Sequence, residues 1–187
     1  MLEPLLQHCV YEDERVEYLH AKMTEPPFEP GTFSHVLIEC RCIAHPDLEA
    51  VFAAAKQMLA PGGQLIVNEP VLSSGSSLPK IIGRMVGETR INEVLQQRTA
   101  MEIGIEITTA GFDMIESRPE PEVTERLHQK MQQISMMLKM ALRFSSFDPY
   151  SDEFPFKKKD LLKAFDEVKT ALGDETFAWH SWRATPN

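Results

Sequence analysis

Three shortages bound this chain before any pattern is read. Basic residues are outnumbered, 19 Lys and Arg against 28 Asp and Glu, for a formal net charge of -9. Phosphate binding wants a clustered basic face, so nucleic acid is disfavoured as a partner. The one dense basic run, Lys157-Lys158-Lys159, reads as the solvated start of a helix. Cysteine is scarce as well. Cys9, Cys40 and Cys42 are odd in number and lack a framework spacing, which suits free thiols in a reducing compartment and gives the expectation of a cytoplasmic protein. Long apolar runs are missing: no window approaches the ~18–20 consecutive apolar residues of a membrane span. Met1-Leu2-Glu3-Pro4 is no basic region leading into an apolar core, so no secretory signal is read and no membrane partner is expected. No Ser-His-Asp order, phosphate loop or paired-carboxylate motif stands out, and no internal repeat is visible.

What is present is an ordinary globular composition, 43% hydrophobic and 25% charged over 187 residues. That is enough for one domain with a proper core. Residues 34–70 organise it. His35-Val36-Leu37-Ile38-Glu39-Cys40 has the look of a buried strand. From Pro46 to Leu59 the apolar positions Leu48, Val51, Phe52, Ala55, Met58 and Leu59 recur at three- and four-residue steps, which predicts a helix. Pro46 suits its first turn and Asp47 its positive N-terminus. Ala60-Pro61-Gly62-Gly63 is a turn signal, and Gln64-Leu65-Ile66-Val67-Asn68-Glu69-Pro70 a second strand. Strand, helix and strand make one βαβ unit with parallel strands. Ligands bind at the C-terminal ends of such strands, so Glu39, Cys40 and Arg41, with Asn68, Glu69 and Pro70, are the first places to look for chemistry.

Around this unit the chain reads simply. Residues 1–14 start helical, and 15–20 read as a short strand. Three prolines between Thr24 and Gly31 enforce a loop in which Phe28, like Phe33, serves as an apolar pin. Residues 72–79 are flexible by composition and leave a strand where lids attach. Residues 89–110 suggest a helix ended by Gly111, so 72–110 is expected to be a lid or substrate-side segment. A strand is predicted over 113–118, helices over 122–143 and 160–172, and a last strand over 176–184 with Phe177, Trp179 and Ser181 on one face and Ala178, His180 and Trp182 on the other. The expected helical insertion is 122–172. Its methionines are read as adaptable packing, and His180 as a packed, hydrogen-bonded histidine. Cys40 and Cys42 are read as small buried hydrophobes, and Cys40-x-Cys42 with His45 fits no structural zinc pattern, so no metal is expected. Arg41 is read as a structural ion pair, with Glu69 either its partner or a substrate contact.

Residues 16–37, with Pro27-Phe28 in a loop before Phe33-Ser34, resemble the middle of a class I S-adenosylmethionine-dependent methyltransferase, of the methyltransferase type 11 kind. His45 through Leu65, with Leu59-Ala60-Pro61-Gly62-Gly63, is similar to that family's helix, Leu-x-Pro-Gly-Gly turn and fifth strand. Ala110-Gly111-Phe112, with the strand predicted directly after it, resembles the sixth strand of the family, and Phe177 to Ala184 its last. The resemblance implies an α/β fold, a Rossmann-like methyltransferase sheet forming a single domain over 1–187, with the helical segment inserted before the last strand. It implies S-adenosyl-L-methionine as cofactor and methyl transfer to a small-molecule acceptor. The matching cofactor wall is Lys22 and Met23 after the third strand, and Glu39, Cys40 and Arg41 after the fourth; Glu69 and Tyr150, with His128 and the methionine-rich helix, would face the acceptor.

Two departures accompany the likeness. Nothing before Val16 supplies the family's Gly-x-Gly-x-Gly turn or the acidic residue that holds the ribose, so the sheet is expected to be N-terminally incomplete, the sequence starting inside the domain as a fragment of a longer enzyme. The Asp that contacts the adenine amino group falls at Lys22, and a cation cannot accept that hydrogen bond. Without the first two strands, 35–40 would present an apolar edge. Three resolutions stand open: a truncated gene, a direct pairing of 15–20 with 35–40, or completion by a second chain in a homo- or hetero-oligomer. The competing function is a non-catalytic methyltransferase-like binding or regulatory subunit.

Overall fold

A computed structural model describes residues 19–40, 42, 45–76, 98–144 and 157–187. Along the chain run β1 (Phe33–Glu39), α1 (Leu48–Met58), β2 (Leu59–Leu72), α2 (Ala100–Thr109), β3 (Phe112–Pro119), α3 (Pro121–Phe144), α4 (Lys158–Gly173) and β4 (Phe177–Pro186). The four strands form one sheet in the order β1-β2-β4-β3. β1 and β2 are parallel, as a strand-helix-strand crossover requires. β4 enters between β2 and β3 and runs antiparallel to both. This α/β sheet, with a helical pair inserted before the last strand, is the architecture that the resemblance implies, and the parallel β1–β2 pair is the one that the apolar pattern predicts.

α1 starts at Leu48, one residue later than Asp47 and two later than Pro46. Asp47 is its N-cap, and its carboxylate accepts the Ala50 N–H at 2.9 Å. The helix turns Leu48, Val51, Phe52 and Ala55 inward, where they meet Ile38, Leu65 and Val67 of the parallel strands. α2 adds Ile103 and Ile107, β3 adds Phe112, and β4 adds Trp182 and Ala184. These side chains form one cluster on one face of the sheet. Each fully buried large side chain in it stabilises the fold by about 1.5–3 kcal/mol.

The turn predicted at 60–63 lies inside β2. Phe33 pairs with Leu59, then the register jumps so that His35 pairs with Gln64. The Pro-Gly-Gly segment is thus an irregularity in the ladder. Gly62 sits at φ +77°, where only glycine is unstrained. Gly63 is required for space: a Cβ there would lie 2.9 Å from the Ala60 carbonyl oxygen and 3.1 Å from that of Ser34. α2 begins at Ala100, within the predicted 89–110 helix, because Thr99 and Glu102 form a reciprocal capping box.

α3 and α4 form a hairpin between β3 and β4. Thr124 secures its base, accepting the Trp179 N–H at 2.9 Å. Further along, Asp166 accepts from Ser135 Oγ at 3.0 Å and pairs with Lys139 at 2.8 Å and Lys169 at 3.1 Å. Those hydrogen bonds, led by the Lys139 ammonium, hold the Asp166 carboxyl down at about 2. Among the described residues no helix is long and apolar enough to cross a membrane. The predicted strand at 15–20 and its pairing with 35–40 lie outside the described residues but for Leu19 and His20, which are exposed and without regular structure.

Candidate active site

The tips of β1 and β2 lie side by side. Glu39 pairs with Asn68, and the Cys40 N–H donates to the Asn68 carbonyl at 3.1 Å. Beyond this point β1 cannot continue, because Cys40 takes a left-handed backbone, φ +54°. That turn corrects one expectation. Cys42 is buried as predicted, but Cys40 is exposed, since it lies past the last ladder residue.

On the open face of the sheet, Glu39 and Asn68 share a hollow of about 440 Å³ with Arg118, Glu120, Ser181 and Arg183. Apart from Glu39, its charges are paired. Arg118 bridges Glu116 at 3.1 Å and Glu120 at 2.8 Å, and Arg183 meets Glu116 at 3.4 Å. Ser181 Oγ donates to Glu120 at 2.6 Å. That hydrogen bond, and then the one from Arg118, hold the Glu120 carboxyl below its usual range.

Lys22 and Met23 stand elsewhere. They line a second cleft, about 540 Å³, between the 19–28 loop, β1 and α1. Phe28, Phe33, Val36, Val51 and Met58 make that cleft apolar, and Phe28 meets Phe33 edge-on at 4.9 Å. Met23 packs against the core, whereas the Lys22 ammonium is exposed and paired with Glu25 at 3.1 Å. The sequence-predicted wall is therefore divided: Lys22 and Met23 line one cleft, Glu39 lines the other, and Cys40 is exposed and lines neither. Arg41 and Tyr150 lie outside the described residues.

Glu69 is fully buried, so it is no surface group of either hollow. Its Oε1 accepts the Cys42 N–H at 2.8 Å. Beside it Arg98, only 8% exposed, donates through Nη1 to the carbonyl oxygens of Cys42 and His45, the latter at 2.8 Å. Burial, and then the Glu69 carboxylate, push the Cys42 thiol far up, against a smaller opposing effect of Arg98. Cys42 is accordingly a neutral thiol. Arg98 escaped the sequence reading. Its signal was weak but legible, an arginine immediately before the Thr99-x-x-Glu102 cap. His180 is packed as predicted, its ring 4.5 Å from that of Trp182 and Nε2 3.0 Å from Ser117 Oγ. Burial lowers its pKa, partly offset by Glu120. His128 sits in the hairpin over Gly173, within hydrogen-bond distance of Gln132 at 3.1 Å.

A family model described as a methyltransferase domain matches residues 1–67. Phosphoethanolamine N-methyltransferase 2 of Haemonchus contortus, solved in complex with S-adenosyl-L-methionine, superposes on all of this chain with a TM-score of 0.69 at 17% identity. This chain has the class I methyltransferase fold. Geranyl diphosphate C-methyltransferase of Streptomyces coelicolor shares the methyltransferase fold over 89% of the chain, with a TM-score of 0.58 and 13% identity. So does the [4+2]-cyclase SpnF, over 98%, with a TM-score of 0.64 and 17% identity. The chain spans 40% of the length of the Haemonchus protein, 53% of the Streptomyces protein and 59% of SpnF. No curated protein matches the sequence.

Proposed function

We propose that this chain takes part in S-adenosylmethionine-dependent methyl transfer to a small-molecule acceptor. The observation that carries the reading is the parallel β1–β2 pair whose tips, at Glu39 and Asn68, open on one hollow. The shared fold, the family match over residues 1–67, and neighbours described as acting with phosphoethanolamine-type or geranyl diphosphate substrates support it. Fold alone does not fix chemistry, as the cyclase with the same architecture illustrates.

The described residues fit part of such a cofactor. The apolar cleft beside Met23, Phe28 and Val36 offers a wall for a planar base. No carboxylate among the described residues lines that cleft to accept from ribose hydroxyls. When bound, S-adenosylmethionine supplies an electrophilic methyl group on a sulfonium. The work left to this chain is placement and exclusion of water, which alone can lower a barrier by about 7–11 kcal/mol. Lys22, Met23, Glu39, Cys40 and Arg41 are proposed for the donor side. Tyr150 is proposed to face the acceptor, whereas Glu69, expected there from the sequence, is buried and touches neither ligand. The free thiols of Cys40 and Cys42 support a reducing compartment such as the cytoplasm. Calorimetric titration of the full chain with S-adenosylhomocysteine tests the reading: saturable heat is expected, and none at millimolar ligand overturns it.

One observation favours a second reading, a non-catalytic subunit that completes its sheet on a partner. Among the described residues β1 has one strand neighbour, and its Leu37 is 56% exposed. Light scattering separates the two: a stable oligomer without cofactor heat supports the subunit, a cofactor-binding monomer the enzyme.

A further inference from the structure

We propose that Glu69 and Arg98 are positioning residues for the donor side of the site, fixing the backbone that passes from the tip of β1 towards α1. The inference rests on the methyl-transfer reading and deepens it.

Cys42 is held through both halves of its backbone. Its N–H goes to the Glu69 carboxylate at 2.8 Å, and its carbonyl accepts from Arg98. The same guanidinium nitrogen reaches the His45 carbonyl at 2.8 Å, two residues before the α1 cap is complete. Arg98 is itself tied to the end of β2, since its carbonyl accepts the Leu72 N–H at 3.1 Å. The path closes: from Cys42 to Glu69 on β2, along β2 to Leu72, across to Arg98, and back to Cys42. Three backbone groups outside the ladder thereby find partners far away in sequence.

Charge chemistry suits the task. A carboxylate accepting a backbone N–H and a guanidinium donating to backbone carbonyls make charge-assisted bonds, stronger and more directional than neutral ones. The guanidinium is planar and presents its donors in a fixed fork, so a shift of either carbonyl is resisted. Both residues are almost wholly buried, so neither touches a substrate and each acts through the backbone of Cys42. Cys40, two residues earlier at the tip of β1, is exposed and has a left-handed backbone. In methyl transfer a displacement of about 1 Å at such a point costs on the order of 100-fold.

The test uses the full chain and two readouts, amide hydrogen exchange at Cys42 and S-adenosylhomocysteine affinity by calorimetry. E69A and R98M are expected to speed Cys42 exchange about 10- to 100-fold, the loss of one charge-assisted bond, and to weaken binding by at least about 10-fold. E69Q keeps an acceptor for the Cys42 N–H and is expected to restore both readouts towards wild type. Should E69A fail to fold, R98Q carries the same test. Unchanged exchange in the variants overturns the clamp. Faster exchange with unchanged affinity overturns the positioning role alone. An unaltered chain that binds no S-adenosylhomocysteine removes the proposed function, and the positioning role with it, whatever the exchange shows.

Discussion

The sheet body and the α3–α4 hairpin are stabilised by different means. In the body, Phe52, Val67, Ile103, Ile107 and Trp182 are almost completely buried in one continuous cluster. In the hairpin, Ile134, Met136, Met137 and Met140 are largely exposed, and among the described residues Leu172, at the end of α4, is the one large apolar side chain that is buried, beside small or polar ones such as Ser135, Ala164 and Ala171. The body is held by apolar area, the hairpin by an ionic node at Asp166. Rigidity is therefore concentrated where β1 and β2 end. The hairpin is free to vary its surface with little effect on the core.

The largest test of that contrast is F52A. Emptying the core under the parallel pair should cost about 3–5 kcal/mol, measured by urea denaturation. A cost as small as that of a hairpin methionine would break the comparison. G63A comes next, at about 1–3 kcal/mol, because its Cβ meets backbone atoms of Ala60 and Ser34 that cannot swing aside. On the hairpin, D166N should cost under about 1 kcal/mol, since the carboxylate is more than a third exposed and its ion pairs are screened. The same node gives a pH signature. The Asp166 pKa falls from 3.8 to about 2 on folding. Its contribution is fully present above pH 3.8 and is lost as pH falls through about 2. Acid titration of wild type against D166N should show a difference that vanishes over that window and is constant above it. M137Q should be smallest, within about 0.5 kcal/mol, because a 62% exposed side chain loses little on becoming polar.

Much of the fold was legible because its period was. Val51, Phe52, Ala55 and Leu59 repeat with the helical turn, and Trp182 and Ala184 alternate against Ser181 and Arg183, so the helix and the last strand could be placed to within a few residues. The start of β2 was not legible. A Pro-Gly-Gly turn and a ladder irregularity look alike in one dimension, and only Phe33 opposite Leu59 reveals the second. The site was half legible. Strand tips follow from topology, so the placement of Glu39 beside Asn68 at the end of the parallel pair could be read, whereas the burial of Glu69 could not. That Lys22 and Met23 line a different cleft from Glu39 depends on how a proline-rich loop folds back, which has no period. Arg98 was missed because its partners are carbonyls, and a carbonyl carries no residue identity.

The position of β4 has a consequence for how the molecule assembles. It is the last strand along the chain yet a middle strand of the sheet, flanked by β2 and β3. During synthesis, β3 meets its one partner among the described strands only when residues 177–186 emerge. Contacts this distant in sequence form late and slowly. Residues 177–186 are thus the one link that ties β3 to the parallel pair among the described strands.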